Sequence, residues 1–201
     1  MRMSSDRRRQ EIVAAVLRLA VEVGPDRLTT QAVADAVGIS QPAIFRHFPN
    51  RTALWCGVAE TIAATMRARW EEALADAEPP LDAIRRLALA QLATVAAEPS
   101  ILAIVFSHEL RVANPALADV FRRLVAELVG HFGRLLTACE PPPAAPPGDA
   151  ALLVLGLLQG LALRWSLAGR GFDLVAEGAR LLDLQLAGLV GALPPTDGDA
   201  P

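Results

Sequence analysis

Residues 41–46 place an amide, a guanidinium and two small apolar side chains close together in the sequence. The amide of Gln41 can pair with an adenine edge through two hydrogen bonds, and the guanidinium of Arg46 can bind guanine or phosphate. Pro42 and Ala43 offer apolar contact to a thymine methyl group. These side chains could read base edges if a helix carries them into a DNA groove.

Patterns typical of catalysis or metal binding do not appear in this sequence. His108-Glu109 resembles the start of a zinc-protease motif, but Val112 stands where the second histidine would be needed. His47 and His131 are not spaced to form a metal pair with His108. No glycine-rich phosphate loop follows a strand, and no serine elbow occurs. We therefore predict no enzyme activity, no catalytic residues, no metal and no cofactor.

Residues 29–51 have the pattern of two short helices joined by a glycine turn. Thr29 or Thr30 is a good N-cap, because its hydroxyl can accept a free backbone N–H of the first turn. Gly38 stands where a helix commonly ends in the left-handed conformation. The stripe that this first helix would bury consists of Ala32, Val33, Ala36 and Val37.

The second helix of the pair is predicted from about Gln41 to Phe48. Ser40 would cap it, and Pro42 lies near the first turn, where its missing N–H does no harm. Ile44 and Phe48 should point inward. Pro49 ends the helix, and Asn50 can cap the helix that follows.

Two helices with such a turn form a helix-turn-helix unit, or equally well an αα-corner in some other helical protein. Residues 6–55, however, resemble the DNA-binding domain of the TetR family of bacterial transcriptional repressors. The residues that carry the resemblance are Thr29-Thr30, Val33-Ala34, Val37-Gly38-Ile39-Ser40, Ile44-Phe45-Arg46-His47-Phe48-Pro49-Asn50-Arg51 and Leu54.

The resemblance implies an all-α fold of about nine helices. An N-terminal three-helix helix-turn-helix DNA-binding domain (6–55) would precede a C-terminal helical domain for effector binding and dimerisation (56–193). A tail of residues 194–201 would be disordered. The expected function is a ligand-responsive repressor that binds a pseudo-palindromic, double-stranded DNA operator as a homodimer. The alternative is a helical small-molecule-binding protein or enzyme whose helix-turn-helix is only structural.

The resemblance also assigns contacts to the DNA backbone. Phe45 and His47 would lie beside it, as would Thr29, Thr30 and Arg51 at the starts of their helices, where free N–H groups favour phosphate. The family usually has tyrosine at Phe45 and lysine at Arg51, so one hydroxyl contact is lost and one charge is kept. The arginines of residues 7–9 would touch the minor groove or phosphates, or form a solvated arm.

Composition agrees with a helical protein. Hydrophobic residues make up 53% of the chain and aromatic residues only 4%, which suits helix packing better than strands. Residues 1–55 hold eight arginines against five acidic residues, a net charge of +3, whereas the remainder is acidic.

Cys56 and Cys139 are expected to be reduced, packed thiols. The N-terminus lacks a signal-peptide core, and the apolar run 150–163 is short for a membrane span. We expect a cytoplasmic protein with no membrane partner.

Apolar spacing and helix breakers predict the other helices. Their expected ranges are 6–23, 51–77, 81–97, 100–111, 115–138, 149–168 and 172–193, with Asn114 capping the fifth of these. The penultimate helix is apolar almost all round and should be covered on all sides.

The last two helices are the expected dimer interface, because in the resembled family they pair with their two-fold mates as a four-helix bundle. The alternative is a core within one chain. The interface residues would be Leu153, Gly156, Leu157, Gly160, Leu174, Gly178, Leu181, Leu182, Gln185 and Leu189.

A pocket for a small apolar effector is expected in the C-terminal domain, with Gln159 or Arg164 as a polar handle. The candidate lining residues are Trp70, Phe106, His108, Phe121, Phe132, Gln159, Arg164 and Trp165. Ordinary core packing is the alternative role for each of them.

Overall fold

A computed structural model describes residues 2–76 and 78–191, with side chains from residue 5 onward. All the regular secondary structure within these ranges is helical, and it comprises ten helices. Their bounds are α1 Arg2–Glu22, α2 Thr30–Val37, α3 Gln41–His47, α4 Arg51–Leu74, α5 Pro80–Ala97, α6 Ser100–Phe106, α7 His108–Ala113, α8 Pro115–Thr137, α9 Pro147–Leu167 and α10 Leu174–Val190. The all-α prediction is confirmed.

The chain divides into two compact units. Unit 1 comprises residues up to 67 together with 97–124, and unit 2 comprises residues 68–96 with those from 125 onward. In unit 1, α1 packs against α2, α3 and α6. The predicted domain boundary near residue 55 stays a prediction, as does the tail 194–201, which lies outside the described residues.

The prediction of one helix over residues 100–111 is wrong, because the chain forms α6 and α7 there with a break at Ser107. Ser107 has an extended backbone, and its hydroxyl accepts a hydrogen bond from the N–H of Leu110 at 3.0 Å. The same hydroxyl donates to the carboxylate of Asp26. Ser107 is thus the N-cap of a new helix and also ties α7 to the loop after α1.

The side chain of Asn114 does not form the predicted N-cap hydrogen bond to α8. Its side-chain amide donates to the carbonyl of Leu110 at 2.9 Å, so it satisfies the C-terminal end of α7 instead. The residue is buried.

Other helix ends also differ from prediction. Helix α1 begins at Arg2 rather than near residue 6, and α9 begins at Pro147 rather than at residue 149. Helix α4 ends at Leu74 rather than near residue 77, and α10 begins at Leu174, where Asp173 caps it. The predicted end at residue 193 falls beyond the described part of the chain.

Unit 2 has an aliphatic core with a small polar cluster. The indole N–H of Trp70 donates to the side-chain oxygen of Gln91 at 2.8 Å, which satisfies the one polar atom of a buried ring. His131 meets the Trp70 ring edge to face at 6.1 Å between centroids. Partial burial lowers the pKa of His131, and the neighbouring charge of Arg134 lowers it further, so the imidazole is neutral at pH 7.

Helix α9 is long and apolar enough to cross a bilayer, with a mean hydropathy of 1.6 over an 18-residue window. The helix is longer than the apolar run 150–163, from which we predicted that no segment spans a membrane. Within that window 44% of the residues are buried in the protein, and the core helix of a soluble protein also passes this test of length and composition. The buried face of α9 includes Val154, Leu158, Leu161 and Trp165, and α9 packs against α10. The opposite face is exposed, so α9 is not covered on all sides.

Gly178 of α10 supports a stability prediction, since a Cβ there would lie 2.2 Å from Cδ1 of Leu92. We expect Gly178→Ala to destabilise the protein by about 1–3 kcal/mol, because Leu92 is buried and has little room to shift. Gly133→Ala in α8 is the matched control, as a Cβ there meets open space. It should be neutral or should stabilise the protein by up to about 1 kcal/mol. Urea denaturation measures both, and equal midpoints would contradict the packing explanation.

Candidate nucleic-acid interface

Helices α2 and α3 form the predicted pair around a glycine turn. Thr29 is the N-cap of α2, and its hydroxyl accepts a hydrogen bond from the N–H of Ala32 at 3.1 Å. Gly38 ends α2 with a φ of 73°, in the left-handed region that costs glycine little. Ser40 is the N-cap residue of α3, although its side chain makes no capping hydrogen bond. The predicted caps at Thr29 and Gly38 are confirmed.

Helix α3 is seven residues long and is anchored by its apolar side. Ile44 and Phe48 are fully buried, as predicted, while Pro42, Phe45 and Arg46 are exposed. The Phe45 side chain is 40% exposed. Ala43 and His47 are half-buried. The exposed side of α3 therefore presents a proline, an aromatic ring and a guanidinium side by side.

The side chain of Gln41, which is predicted to pair with an adenine edge, is only partly free to do so. It is half-buried, and its side-chain nitrogen donates to the hydroxyl of Thr30 at 2.7 Å. One amide hydrogen of Gln41 is therefore engaged within the protein, while the amide has a second hydrogen and an oxygen. The bond also fixes the orientation of the amide and links the start of α3 to the start of α2. Thr30 serves here as an anchor for Gln41, while Thr29 is exposed at the N-cap.

Arg51, which is predicted to bind phosphate, connects the start of α4 to the residue before the helix-turn-helix. A guanidinium nitrogen of Arg51 donates to the carbonyl of Leu28 at 3.1 Å. The Asn50 side chain caps α4 as predicted, accepting from the N–H of Ala53 at 2.8 Å. Arg51 is exposed overall and lies in the first turn, where the free N–H groups and the helix dipole favour an anion.

The three arginines near the N-terminus differ in their partners. Arg7 and Arg8 both pair with Glu11, at 3.2 and 2.7 Å. Arg9 donates instead to the backbone carbonyl of His47, and its guanidinium lies 4.2 Å from the centroid of the Phe48 ring. No pattern in the sequence indicates this contact, because the two ends lie 38 positions apart.

A second surface of interest is an exposed apolar stripe on α9, which we call the α9 stripe. Leu153 is 51% exposed and Leu167 is 80% exposed, and both follow the helical spacing of one face. The stripe consists of Leu152, Leu153, Gly156, Gln159, Gly160, Leu163 and Leu167. Three of the predicted interface residues, Leu153, Gly156 and Gly160, belong to this stripe, and Leu157 is half-buried beside it.

The predicted interface on α10 needs correction. Leu174, Leu182 and Leu189 are buried within the chain, and Gly178 lies directly under Leu92. These four residues belong to the core of unit 2, because the most apolar side of α10 faces inward. Leu181 and Gln185 are half-buried, and the large apolar residue exposed on α10 is Leu184, which is not among the predicted interface residues.

The candidate effector-pocket residues do not share one environment. Phe106 and His108 are exposed and Phe121 is buried, all three in unit 1. In unit 2, Trp70, Phe132 and Trp165 are buried, and the Trp165 N–H donates to the carbonyl of Phe172.

The two predicted polar handles, Gln159 and Arg164, are exposed rather than aimed into the core. Arg164 pairs with Glu177 at 2.6 Å and lies 4.6 Å from the Phe172 ring centroid. The hydrogen bond from Arg164 lowers the pKa of Glu177. The side chain of Arg164 is thus committed to a surface ion pair.

The cysteines are free thiols, and Cys139 is buried while Cys56 is half-buried. Burial raises the pKa of both, so both stay protonated and weakly nucleophilic at pH 7. Within the ranges that the structure describes, no group of three His, Cys, Asp or Glu side chains could hold a metal ion.

Sequence comparison matches residues 12–55 to the family of bacterial regulatory proteins known as the tetR family. The matched segment contains all of α2 and α3 and the Asn50 cap. The DNA-binding domain formed by residues 12–55 belongs to the tetR family. A TetR-family relative, the nucleoid occlusion factor SlmA of Vibrio campbellii, is 31% identical over 130 residues, which cover 64% of this chain and 66% of SlmA. The matched region thus spans just under two thirds of that relative.

Solved structures share the TetR-family fold. NalD, the secondary repressor of the MexAB-OprM multidrug efflux pump in Pseudomonas aeruginosa, aligns with a TM-score of 0.76 and 23% identity, over 95% of this chain and 100% of NalD. FadR from Bacillus subtilis, in complex with stearoyl-CoA, aligns with a TM-score of 0.76 and 17% identity, over 90% and 98%. At these identities the likeness shows the fold alone.

Gln41 and Arg51 should have different effects on DNA binding. Gln41→Ala should relax the preference at particular base pairs, at a cost of about 1–3 kcal/mol for the preferred base. Arg51→Ala should weaken binding evenly across sequences and reduce the slope of log K against log salt by about one unit. Titrations of labelled duplexes at several salt concentrations measure both effects.

Arg18→Ala is the control for the loss of a positive charge elsewhere, since Arg18 lies on α1 and pairs with Glu22. Its salt slope should equal that of the unmodified protein. An even loss of affinity across sequences in both the Gln41 and the Arg51 variants would contradict the separation of base reading from phosphate binding.

Proposed function

We propose that this chain is a transcriptional repressor that binds a pseudo-palindromic DNA operator as a homodimer and releases it in response to a small apolar ligand. The observation that carries the proposal is α3, whose exposed side presents Pro42, Phe45 and Arg46 and whose Gln41 amide is held in a fixed orientation by Thr30. A helix of this kind, after a glycine turn, suits insertion into a major groove.

Phosphate contacts would come from the residues around α3. Thr29 lies at the start of α2 and Arg51 at the start of α4, where unpaired N–H groups favour anions. The excess of arginine in residues 1–55 gives this part of the chain a positive charge that DNA attracts. Phe45 and His47 would lie beside the sugar-phosphate backbone.

The α9 stripe supports the homodimer. Its leucines are exposed along one face, with Gly156 and Gly160 between them, so a second helix could approach closely. An isologous pairing of two such faces gives a two-fold dimer that carries two copies of α3, and a dimer of this symmetry matches an operator with two-fold symmetry.

The effector is proposed to be apolar because the core of unit 2 is built of leucine, valine and tryptophan. The similar FadR structure was solved with stearoyl-CoA, whose long acyl chain is of this chemical class. The exposed positions of Gln159 and Arg164 remove them as polar handles of an internal pocket.

A second candidate function is a nucleoid occlusion role, which the 31% identity to SlmA favours. Genome-wide mapping of bound DNA separates the two functions. A few sites at promoters would support the repressor, whereas many sites dispersed over the chromosome would support nucleoid occlusion.

The direct test is selection of bound duplexes from a random pool at two salt concentrations. Enrichment of a pseudo-palindrome, with binding that weakens steeply as salt rises, is the expected result. Absence of enrichment at both concentrations, with and without a ligand that carries a long apolar chain, such as stearoyl-CoA, would favour the alternative of a helical small-molecule-binding protein or enzyme.

The dimer proposal predicts the effect of one charge on the α9 stripe. Leu153→Glu should weaken self-association by at least about tenfold, because dimerisation would bury the new carboxylate. The fold of the monomer should persist, since Leu153 is already half exposed. Val112→Glu is the matched control, because Val112 is an exposed valine on α7 of unit 1 and is not part of the stripe. Sedimentation velocity measures the association, and an unchanged dimer in the Leu153 variant would contradict the proposal.

A further inference from the structure

Arg9 joins α1 to the C-terminal end of α3. Its guanidinium donates a hydrogen bond to the carbonyl of His47, the last residue of α3. The last carbonyls of a helix have no partner inside the helix and lie at the negative end of its dipole. A cationic donor at this position therefore satisfies an unpaired acceptor and also interacts favourably with the dipole.

The same guanidinium covers one face of Phe48, with the Arg9 carbon 4.2 Å from the ring centroid. The edge of the ring lies against Gly57 of α4, where an added Cβ would come within 2.5 Å of Cε1. Phe48 is only 1% exposed, so the ring has little freedom to move. Arg9, Phe48 and Gly57 thus form a stack of three residues from α1, the end of α3 and α4, which we call the Arg9 stack.

The Arg9 stack matters because α3 cannot maintain its own orientation. A helix of seven residues is too short to be stable alone, so its tertiary contacts determine where it lies. At the N-terminal end of α3 the Gln41–Thr30 hydrogen bond provides one tether. The Arg9 stack provides the tether at the other end, and it borders an open crevice of about 230 Å³.

We propose that Arg9 is a positioning residue for DNA recognition, which acts by holding the C-terminal end of α3 and not by binding phosphate. The inference rests on the proposed DNA-binding function, because it assigns α3 as the helix that enters the groove. It distinguishes Arg9 from Arg7 and Arg8, whose guanidinium groups pair with Glu11 and lie on no such stack.

The first test compares DNA binding of Arg9→Ala and Arg9→Lys with that of the unmodified protein. Loss of the tether should lower affinity for the selected operator by about tenfold and leave affinity for a random duplex nearly unchanged. The salt slope should stay the same in both variants. Lysine keeps the charge but lacks the planar guanidinium, so Arg9→Lys should recover only part of the operator affinity.

A phosphate contact would produce a different pattern. The salt slope would then fall by about one unit in Arg9→Ala, affinity for all duplexes would fall together, and Arg9→Lys would restore both. That pattern overturns the proposal. Arg18→Ala again controls for the loss of a positive charge on α1.

The second test needs no DNA. In Arg9→Ala, amide hydrogens of residues 41–48 should exchange about tenfold faster than in the unmodified protein, while those of residues 12–20 in α1 keep their protection. Unchanged exchange in residues 41–48, or an equal rise in both segments, overturns the proposal. The exchange measurement is independent of any operator. Failure to select DNA would therefore contradict only the proposed function, whereas unchanged exchange would contradict the role of Arg9.

Discussion

The molecule depends on one constraint, which is that a seven-residue helix must be held by its surroundings. Helix α3 buries Ile44 and Phe48, and the polar tethers at its two ends come from α1 and α2. Its contact surface is thus a product of tertiary structure rather than of local helix propensity. A small change in any neighbour of α3 therefore changes the surface that it presents.

Sequence reasoning succeeded where the physical cause is short-range. The caps at Thr29 and Asn50 and the left-handed Gly38 depend on residues within four positions, and all three are found. It failed where two partners are distant in the chain. Thr30 and Gln41 are 11 positions apart, and the ends of the Arg9 contact are 38 apart. No spacing rule connects such residues until the helices are packed.

Helix α9 illustrates a different limit. A sequence that is apolar almost all round predicts burial, yet it does not say whether the covering surface belongs to the same chain. One face of α9 packs inside unit 2, and the α9 stripe remains exposed. The same ambiguity led to the assignment of Leu174, Leu182 and Leu189 to an interface, although all three lie in the core. Amphipathic spacing identifies a buried face but not its neighbour.

The hydrogen bond between Ser107 and Asp26 has a consequence for protein engineering. Together with the packing of α6 on α1, it makes residues 97–124 part of the same compact unit as the helix-turn-helix. A chimaera that joins residues 1–55 to the C-terminal half of another regulator would lose the natural cover of α1. A chimaera designed to keep the DNA preference of this chain would have to include α6 and α7 together with residues 1–55. The transferable module is therefore discontinuous in the gene.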